Sequence, residues 1–472
     1  MAVFPRRRLA AVALAATTAL LVTAGCGGGD EQGDGPITLT VDVFGQFGYE
    51  QLYQEYMAAN PDVKIVERGT GTNLDEYSPK LTQWLAAGRG AGDVVAIEEG
   101  LLVEYKANPG NFVNLLDHGA ADLKGNFLEW KWNAGLTADG KQLIGLGTDV
   151  GGIAMCYRKD LFEKAGLPTE RDAVSKLWPT WPDYIATGEK FVAAKTGASF
   201  LDAATNTFNT ILLQTAGNTT GYSYYDTSDK LVVDSNPSVR QAWDTTMDII
   251  DSGLSGKYGS WSEEWVSAFK QSKFATIACP AWMTGVIEAN AGTGAQGKWD
   301  IAQVPGNGGN WGGSHLAVPK QSKHQAEAIE LAKFLTSAKG QIGAFKAKGP
   351  LPSSPQALDD PAITGAKNAY FSDAPVGTIF GSGAKSLKPV YMGPKNQAVR
   401  TEVENAVRTV ELGQRSPAQG WTDAVTNAKK AAAVLGLLTF MTTWNDFLWP
   451  YAVLNDPANP TVQLSLRALS DG

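Results

Sequence analysis

Residues 37–66 read ITLTVDVFGQFGYEQLYQEYMAANPDVKIV. The first part, Ile37 to Phe44, alternates apolar and polar residues and is rich in β-branched side chains, which predicts a strand. Apolar side chains then recur at helical spacing from Tyr49 to Ala59, Asn60-Pro61 ends that pattern, and Val63 to Val66 returns to a strand. This order is typical of an open α/β sheet, in which ligands gather at the carboxyl ends of the strands. The predicted fold class is therefore α/β.

The same order repeats along the chain. Leu74 to Ala87 has helical spacing, and Asp93 to Ile97 follows as an apolar, buried strand. Much later, Ala326 to Leu335 and Ala398 to Val410 each place apolar residues on one helical face. Apolar stripes of this kind usually face a core, so both segments are predicted to be core-facing helices.

The first 26 residues have the pattern of an export signal. A basic start precedes an apolar run from Leu9 to Val22, which is shorter than the roughly 20 residues that span a bilayer. We therefore interpret residues 1–25 as a signal peptide rather than a transmembrane helix. The closing Thr23-Ala24-Gly25-Cys26 resembles a bacterial lipobox, in which the cysteine is lipidated, and residues 26–35 are a glycine-rich, flexible linker. The expectation is an exported protein anchored through Cys26 to the outer face of the cytoplasmic membrane.

Length and charge limit the function further. The chain has 472 residues, 43% hydrophobic and 19% charged, which is enough to bury more than one core and predicts two lobes. Removing a leader with three arginines and no acids takes the formal charge from −8 to −11. That surface repels nucleic acid, and no basic patch interleaved with aromatic residues reverses the effect.

The cysteines and histidines narrow the chemistry. With Cys26 assigned to the lipobox, Cys156 and Cys279 remain, and in an oxidising compartment they either pair or stay as buried free thiols. The three histidines are scattered singly, with no second ligand at metal spacing. Neither a metal nor a cofactor is predicted.

Four segments carry a resemblance when taken in order. They are DVV at 93–95, GGIAMCYRKDLFEKAGLP at 151–168 with TWPDY at 180–184, ACPAWM at 278–283, and WGGSHLAVPK at 311–320. Together they resemble the extracellular solute-binding proteins of carbohydrate ABC importers.

The resemblance implies a two-lobed, periplasmic-binding-protein-like fold with several hinge crossovers and a sugar cleft that closes by hinge motion. One lobe is expected from 36–148 and 312–350, the other from 149–311 and 351–430. The crossovers are expected near 147–151, 311–314 and 349–352, where glycines fit either a hinge or ordinary turns.

A sugar site needs an aromatic face for the C–H patches of the ring and polar groups for its hydroxyls. Each candidate also has a structural interpretation, as a core ring or as a capping or solvated side chain. Strand alternation would send Glu98 and Glu99 to opposite faces, and the sequence does not choose between them. The aromatic candidates are Phe47, Trp261, Trp265, Trp282 and Trp311, and the polar candidates are Glu98, Glu99, Asp149, Ser314 and Asn396.

The predicted function is binding, with no catalytic residues. A monomer would capture a sugar, expected to be a di- or oligosaccharide, and deliver it to ABC permease subunits. The alternatives are a polyol or sugar phosphate as ligand, a surface adhesion protein, and a glycoside hydrolase with two carboxylates at fixed separation. The charge of −11 and the absence of an arginine pair disfavour an anionic ligand. The chain also lacks the nucleophile-elbow, metalloprotease and phosphate-loop motifs.

The C-terminal residues differ from the rest. Residues 431–454 carry one formal charge, Asp446, and the segment 443–464 resembles part of a sugar-importer permease subunit. We interpret 431–472 as an apolar, helical, permease-like tail fused to a binding protein that ends near Lys430. The alternative is a native C-terminal helix packed on the second lobe.

Overall fold

The structure is a computed structural model that describes residues 36–381 and 384–433. The predicted signal peptide, Cys26, the linker up to residue 35 and tail residues 434–472 lie outside these ranges.

The strands and helices alternate along most of the chain. The strands are β1 (Ile37–Asp42), β2 (Val63–Arg68), β3 (Val94–Glu98), β4 (Leu146–Gly147), β5 (Asp149–Val150), β6 (Ile153–Arg158), β7 (Ser199–Leu201), β8 (Phe274–Pro280), β9 (Trp299–Ala302), β10 (Ser314–Ala317) and β11 (Leu351–Pro352). The helices are α1 (Glu50–Ala59), α2 (Leu74–Ala86), α3 (Glu99–Lys106), α4 (Glu129–Gly135), α5 (Lys159–Lys164), α6 (Arg171–Ser175), α7 (Trp181–Ala193), α8 (Ala204–Asn218), α9 (Pro237–Asp251), α10 (Glu263–Lys270), α11 (Met283–Ala291), α12 (Gln325–Thr336), α13 (Ala338–Lys348), α14 (Pro355–Asp359), α15 (Pro361–Thr364), α16 (Val376–Gly381) and α17 (Asn396–Glu411). A further helix covers residues 417–433 of the described part.

The first lobe is built on a five-stranded sheet with the order β2-β1-β3-β10-β4. Strand β1 is parallel to β2 and β3, whereas β10 is antiparallel to β3 and β4. Val41, Ala96 and Leu316 are fully buried in its core, beneath α1 and α12. Because β10 comes from a late part of the sequence, the chain must leave this lobe and return to it.

The second lobe is built on a four-stranded sheet with the order β7-β8-β6-β9. Strand β6 is antiparallel to β8 and β9. All residues of β6 and β8 are buried, as expected for central strands covered on both faces. A disulfide joins Cys156 of β6 to Cys279 of β8 inside this core, so of the two alternatives left by the sequence the structure shows the paired form.

The chain passes between the lobes through neighbouring segments. Strand β5 pairs with β11, and the Trp311 amide donates to the Gly151 carbonyl at 2.8 Å. A Cβ on Gly151 would lie 1.7 Å from the Trp311 carbonyl oxygen, so this glycine is required by close approach of two backbones. The prediction of an α/β fold with two lobes joined by crossovers is confirmed.

The last described helices cover the second lobe. Val399, Val403 and Val407 of α17 are fully buried, as their spacing predicted. The helix 417–433 continues without a break past Lys430, and Ala428 is buried against the same core. In the part of the chain that the structure covers, no helix combines the length and apolarity needed to cross a membrane.

Candidate ligand-binding site

A groove of about 350 Å³, counting the part open to solvent, lies where the carboxyl end of β3 faces α8 and α17. Its walls come from both lobes, as expected for a ligand that holds two lobes together. The lining residues are Glu98, Asn209, Leu212, Leu213, Ser223, Tyr224, Trp311, Met392, Asn396 and Arg400.

Glu98 lies at the junction of β3 and α3 and faces this groove. Its Oε2 accepts a hydrogen bond from the Gly100 amide at 2.6 Å, which caps the start of α3. Burial raises the pKa of Glu98 to about 7, although the positive charge of Arg400 opposes the shift. The carboxyl group therefore gains and loses its proton near neutral pH, and it can donate or accept a hydrogen bond there.

The first prediction concerns this carboxyl group. A folded-state pKa above the unfolded value means that its contribution to stability is full below about pH 4.3 and is lost as the pH rises through 7. Glu98→Gln keeps an oxygen for the Gly100 amide but cannot ionise. When the pH rises from 5 to 8, we expect the free energy of unfolding of the variant to increase by about 1 to 2 kcal/mol relative to that of the wild type. Urea unfolding at both pH values measures this difference.

Asp202 is the internal control for that measurement. Burial raises its pKa to about 7 as well, so the wild-type profile contains both groups. Asp202 is unchanged in the variant, and its contribution cancels in the difference between the two proteins. Parallel pH profiles for wild type and Glu98→Gln would show that Glu98 carries no such shift.

Arg400 forms the opposite side of the groove. Its Nε donates to Glu404 Oε1 at 2.7 Å, and the same oxygen accepts from Asn209 Nδ2 at 2.5 Å. The guanidinium also lies 5.9 Å from the centre of the Trp311 ring, within cation–π range. These contacts fix a planar donor group at the groove wall.

Two neutral polar side chains complete the wall. Tyr224 is 2% exposed, and its hydroxyl has no hydrogen-bond partner among the described residues. Asn396 is 5% exposed and begins α17. An unpaired buried hydroxyl is costly unless a ligand or water satisfies it, so the Tyr224 hydroxyl is available to a polar group that enters the groove.

The aromatic side of the site is a series of three indoles. Trp311 lines the groove, and its carbonyl accepts a hydrogen bond from Trp282 Nε1 at 2.9 Å. The Trp282 ring meets Trp311 edge to face, with centroids 6.3 Å apart. On its other side Trp282 stacks with Trp261 at 6.2 Å and an interplanar angle of 22°. The rings of the series therefore extend away from the groove.

A buried polar network lies beside the groove at the crossovers. Lys131 Nζ contacts Glu99 Oε2 at 2.6 Å, and the lysine side chain is fully buried. Asp149 Oδ1 accepts from the Ser314 amide at 3.0 Å and from the Thr148 hydroxyl at 2.6 Å. Burial raises the pKa of Glu99 and Asp149, while Lys131 lowers both. Three of the predicted site residues, Glu99, Asp149 and Ser314, thus make contacts within the protein that tie the crossovers together.

Two predicted aromatic residues lie away from the groove. Trp265 is 0% exposed and donates through Nε1 to Asp202 at 2.8 Å, so it has no face for a ligand and its place in the site is withdrawn. Ser262 caps α10, which turns Trp265 into the core. Phe47 packs edge to face on Phe44 and, together with Asp149, lines a separate pocket of about 230 Å³, counting the part open to solvent.

The structure therefore brings together Glu98, Trp311 and Asn396 in the groove, with Trp282 and Trp261 adjoining it. Sequence reasoning missed Asn209, Tyr224 and Arg400 in the groove wall and Lys131 beside it. One signal was present, since Asn396, Arg400 and Glu404 recur every four residues and form a polar stripe on α17. Within residues 36–381 and 384–433, no group of three or more histidine, cysteine, aspartate or glutamate residues could hold a metal ion.

Comparisons with known proteins identify the family of this chain. Residues 51–370 match the family described as bacterial extracellular solute-binding protein. An arabinooligosaccharide-binding protein of Bacillus subtilis (strain 168) is 31% identical over 346 residues, which are 68% of this chain and 73% of that protein. A lactose-binding protein of Rhizobium radiobacter is 27% identical over 297 residues, which are 60% of this chain and 65% of that protein.

A solved structure described as an extracellular solute-binding protein of family 1 has the same fold. Its TM-score is 0.73 at 41% identity, and the match covers 84% of this chain and all of that one. The resemblance inferred from the sequence motifs is confirmed, and the hydrolase alternative is set aside because the family consists of binding proteins. This chain belongs to the bacterial extracellular solute-binding proteins, and it is an exported binding protein rather than an enzyme.

Proposed function

We propose that this protein captures a neutral di- or oligosaccharide in the groove and delivers it to the permease subunits of an ABC importer. The observation that carries the proposal is that Trp311 shares one groove with the polar side chains Glu98, Tyr224, Asn396 and Arg400, and that the Trp282 ring adjoins it. An indole face suits the C–H patch of a sugar ring, and a carboxyl, a guanidinium, an amide and a phenol suit its hydroxyls.

The relatives support a sugar as the ligand. The two curated proteins described above bind arabinooligosaccharides and lactose, and both of these are neutral carbohydrates. The groove itself disfavours an anion, since Arg400 is already paired with Glu404 and Glu98 adds a second carboxyl group. A phosphate or carboxylate ligand would compete with Glu404 for the charge of Arg400 and would meet the carboxyl group of Glu98.

Contacts between the lobes are consistent with closure around the ligand. Gln397 Nε2 of α17 donates to Asp75 Oδ1 of α2 at 3.0 Å. A Cβ on Gly100 would lie 3.1 Å from Asn396 Nδ2, so α17 sits close against the start of α3. We keep the sequence-based lobe boundaries, 36–148 with 312–350 and 149–311 with 351–430, as part of this proposal.

The proposal also includes attachment to the membrane and a permease-like tail. Cys26 would carry the lipid that holds a monomeric receptor at the outer face of the cytoplasmic membrane, with residues 26–35 as its flexible linker. Residues 431–472 would be the permease-like tail, of which 434–472 lie outside the described ranges.

The second prediction tests the proposal directly. A ligand held only by the folded state increases the free energy of unfolding, by about 2.7 kcal/mol at a ligand concentration a hundredfold above Kd. The midpoint of thermal unfolding rises as a result. We expect one or more of arabinobiose, arabinotriose, lactose and maltose to raise the midpoint of residues 36–433 by several degrees. Sorbitol tests the polyol alternative, and glucose 6-phosphate tests the anionic one. A shift only with sorbitol or only with the phosphate would contradict the proposal, as would no shift with any sugar.

A further inference from the structure

Trp261 is an unusually exposed aromatic side chain. At 44% exposure it is one of four large apolar residues that are exposed in the described part of the chain, and the others are the aliphatic Val66, Val192 and Leu412. The apolar area that an exposed indole presents to water does not stabilise the folded protein.

The backbone at Trp261 is also unusual. The Ser262 amide donates to the Gly259 carbonyl at 3.1 Å, which closes a turn with Trp261 at its third position. The φ angle of Trp261 is 68°, in the left-handed region that this turn position usually fills with glycine. A bulky residue there is strained, and strain of this kind concentrates at functional sites.

The ring is nevertheless held in a fixed place. It stacks on Trp282 at 22° and rests on the buried Trp265, with centroids 5.1 Å apart at 48°. Trp282 in turn borders the groove, because its Nε1 lies 3.3 Å from where a Cβ of Gly312 would be and Glu98 Oε1 lies 3.9 Å from that same point. The indole series therefore connects the groove wall with an exposed ring outside it.

We propose that Trp261 forms an outer subsite that binds a sugar unit projecting from the groove, so that the protein selects oligosaccharides by length. This inference rests on the proposed function and adds to it a ligand longer than the enclosed groove. Tyr224, Asn396 and Trp311, which line the groove, are each at most 8% exposed, so the further units of a longer ligand must lie outside it. Trp261 offers those units an apolar face in a fixed position.

The third prediction follows from this geometry. Affinity is measured by titration calorimetry with arabinooligosaccharides of two to six units and with lactose extended by one to three galactose units. We expect wild-type affinity to rise with length, and we expect Trp261→Gly to remove about tenfold of that rise. Affinity of the variant for the two-unit sugar stays within about twofold of wild type. Trp261→Phe should keep part of the gain, and Leu412→Ala, which removes an equally exposed side chain elsewhere, should change nothing.

The stability of the same variants separates binding from packing. Glycine relieves the strained backbone, so we expect the unfolding midpoint of Trp261→Gly to equal or exceed that of the wild type. A lowered midpoint with an unchanged length dependence would show that Trp261 only packs on the core, and the outer subsite would be rejected. Equal loss of affinity at every length would also reject it, as would a wild-type affinity that does not rise with length. If no sugar binds the wild type, the proposed function itself fails.

Discussion

Lys131→Met is expected to lower the free energy of unfolding by about 3 to 5 kcal/mol. The Lys131 side chain is fully buried, and its Nζ lies 2.6 Å from Glu99 Oε2, which is only 12% exposed. Asp149 lies near the same cation, since Lys131 lowers its pKa against the effect of burial. Removing the lysine leaves two poorly solvated carboxyl groups without their counter-charge. The free-energy cost of those unpaired charges exceeds the net stabilisation that the ion pair provides.

The position of Lys131 makes this effect specific to the crossovers. A Cβ on Gly313 would lie 2.8 Å from Lys131 Nζ and 2.5 Å from the Asp149 carbonyl oxygen, so the ammonium group fits between two crossover segments. The Lys131 carbonyl also accepts a hydrogen bond from His315 Nε2 at 3.1 Å, and burial lowers the pKa of that histidine well below its usual range. The lysine is thus a cation beside a neutral imidazole.

Urea unfolding at pH 8 measures the loss, with Lys141→Met as the matched control. Lys141 pairs with Asp139 at 3.6 Å, but both side chains are mostly exposed, so its removal should cost less than about 1 kcal/mol. In Lys131→Met the pKa of Glu99 should rise further, and the deficit should shrink as the pH falls and the carboxyl groups take up protons. Adding Glu99→Gln to Lys131→Met should recover part of the stability. If Lys131→Met costs no more than Lys141→Met, the buried pair does not hold the crossovers.

Local patterns in the sequence predicted most of the framework. Alternation predicted a strand from Ile37, and the structure has β1 at Ile37–Asp42; helical spacing predicted a helix from Tyr49 to Ala59, and α1 covers Glu50–Ala59. These elements follow from contacts between residues a few positions apart, which the sequence displays directly. The groove could not be predicted in this way. Glu98 and Arg400 lie far apart in the sequence but line the same groove, and no local pattern encodes that contact.

Two pairs of neighbours show where local reasoning stopped. Strand alternation did not decide between Glu98 and Glu99, because the strand ends at Glu98 and Glu99 already begins α3. Trp261 and Trp265 flank the same acidic residues, yet one is exposed and the other is fully buried. The difference arises because the helix starts between them, after Ser262, and helical geometry turns only the second ring into the core.

Removing the disulfide between Cys156 and Cys279 is expected to destabilise the protein about as much as Lys131→Met. Cys156→Ala combined with Cys279→Ala is expected to lower the free energy of unfolding by about 4 kcal/mol, within a range of 2 to 5. The two cysteines are 123 positions apart, so the bond closes a long loop and strongly restricts the unfolded chain. Both residues are fully buried between β6 and β8, where a small alanine fits with little loss of packing.

Reductant supplies the control for this measurement. Wild type unfolded in urea with dithiothreitol should match the double variant, and the double variant should not respond to dithiothreitol. The unfolded variant is also less compact, so its unfolding should show a larger dependence on urea concentration. Strand β8 ends at Pro280, two residues before Trp282, but the disulfide contributes no group to the groove. Sugar affinity of the folded variant should therefore stay within about twofold of wild type. A wild type that is insensitive to dithiothreitol and equal in stability to the double variant would show that the two sulfurs are not joined in solution.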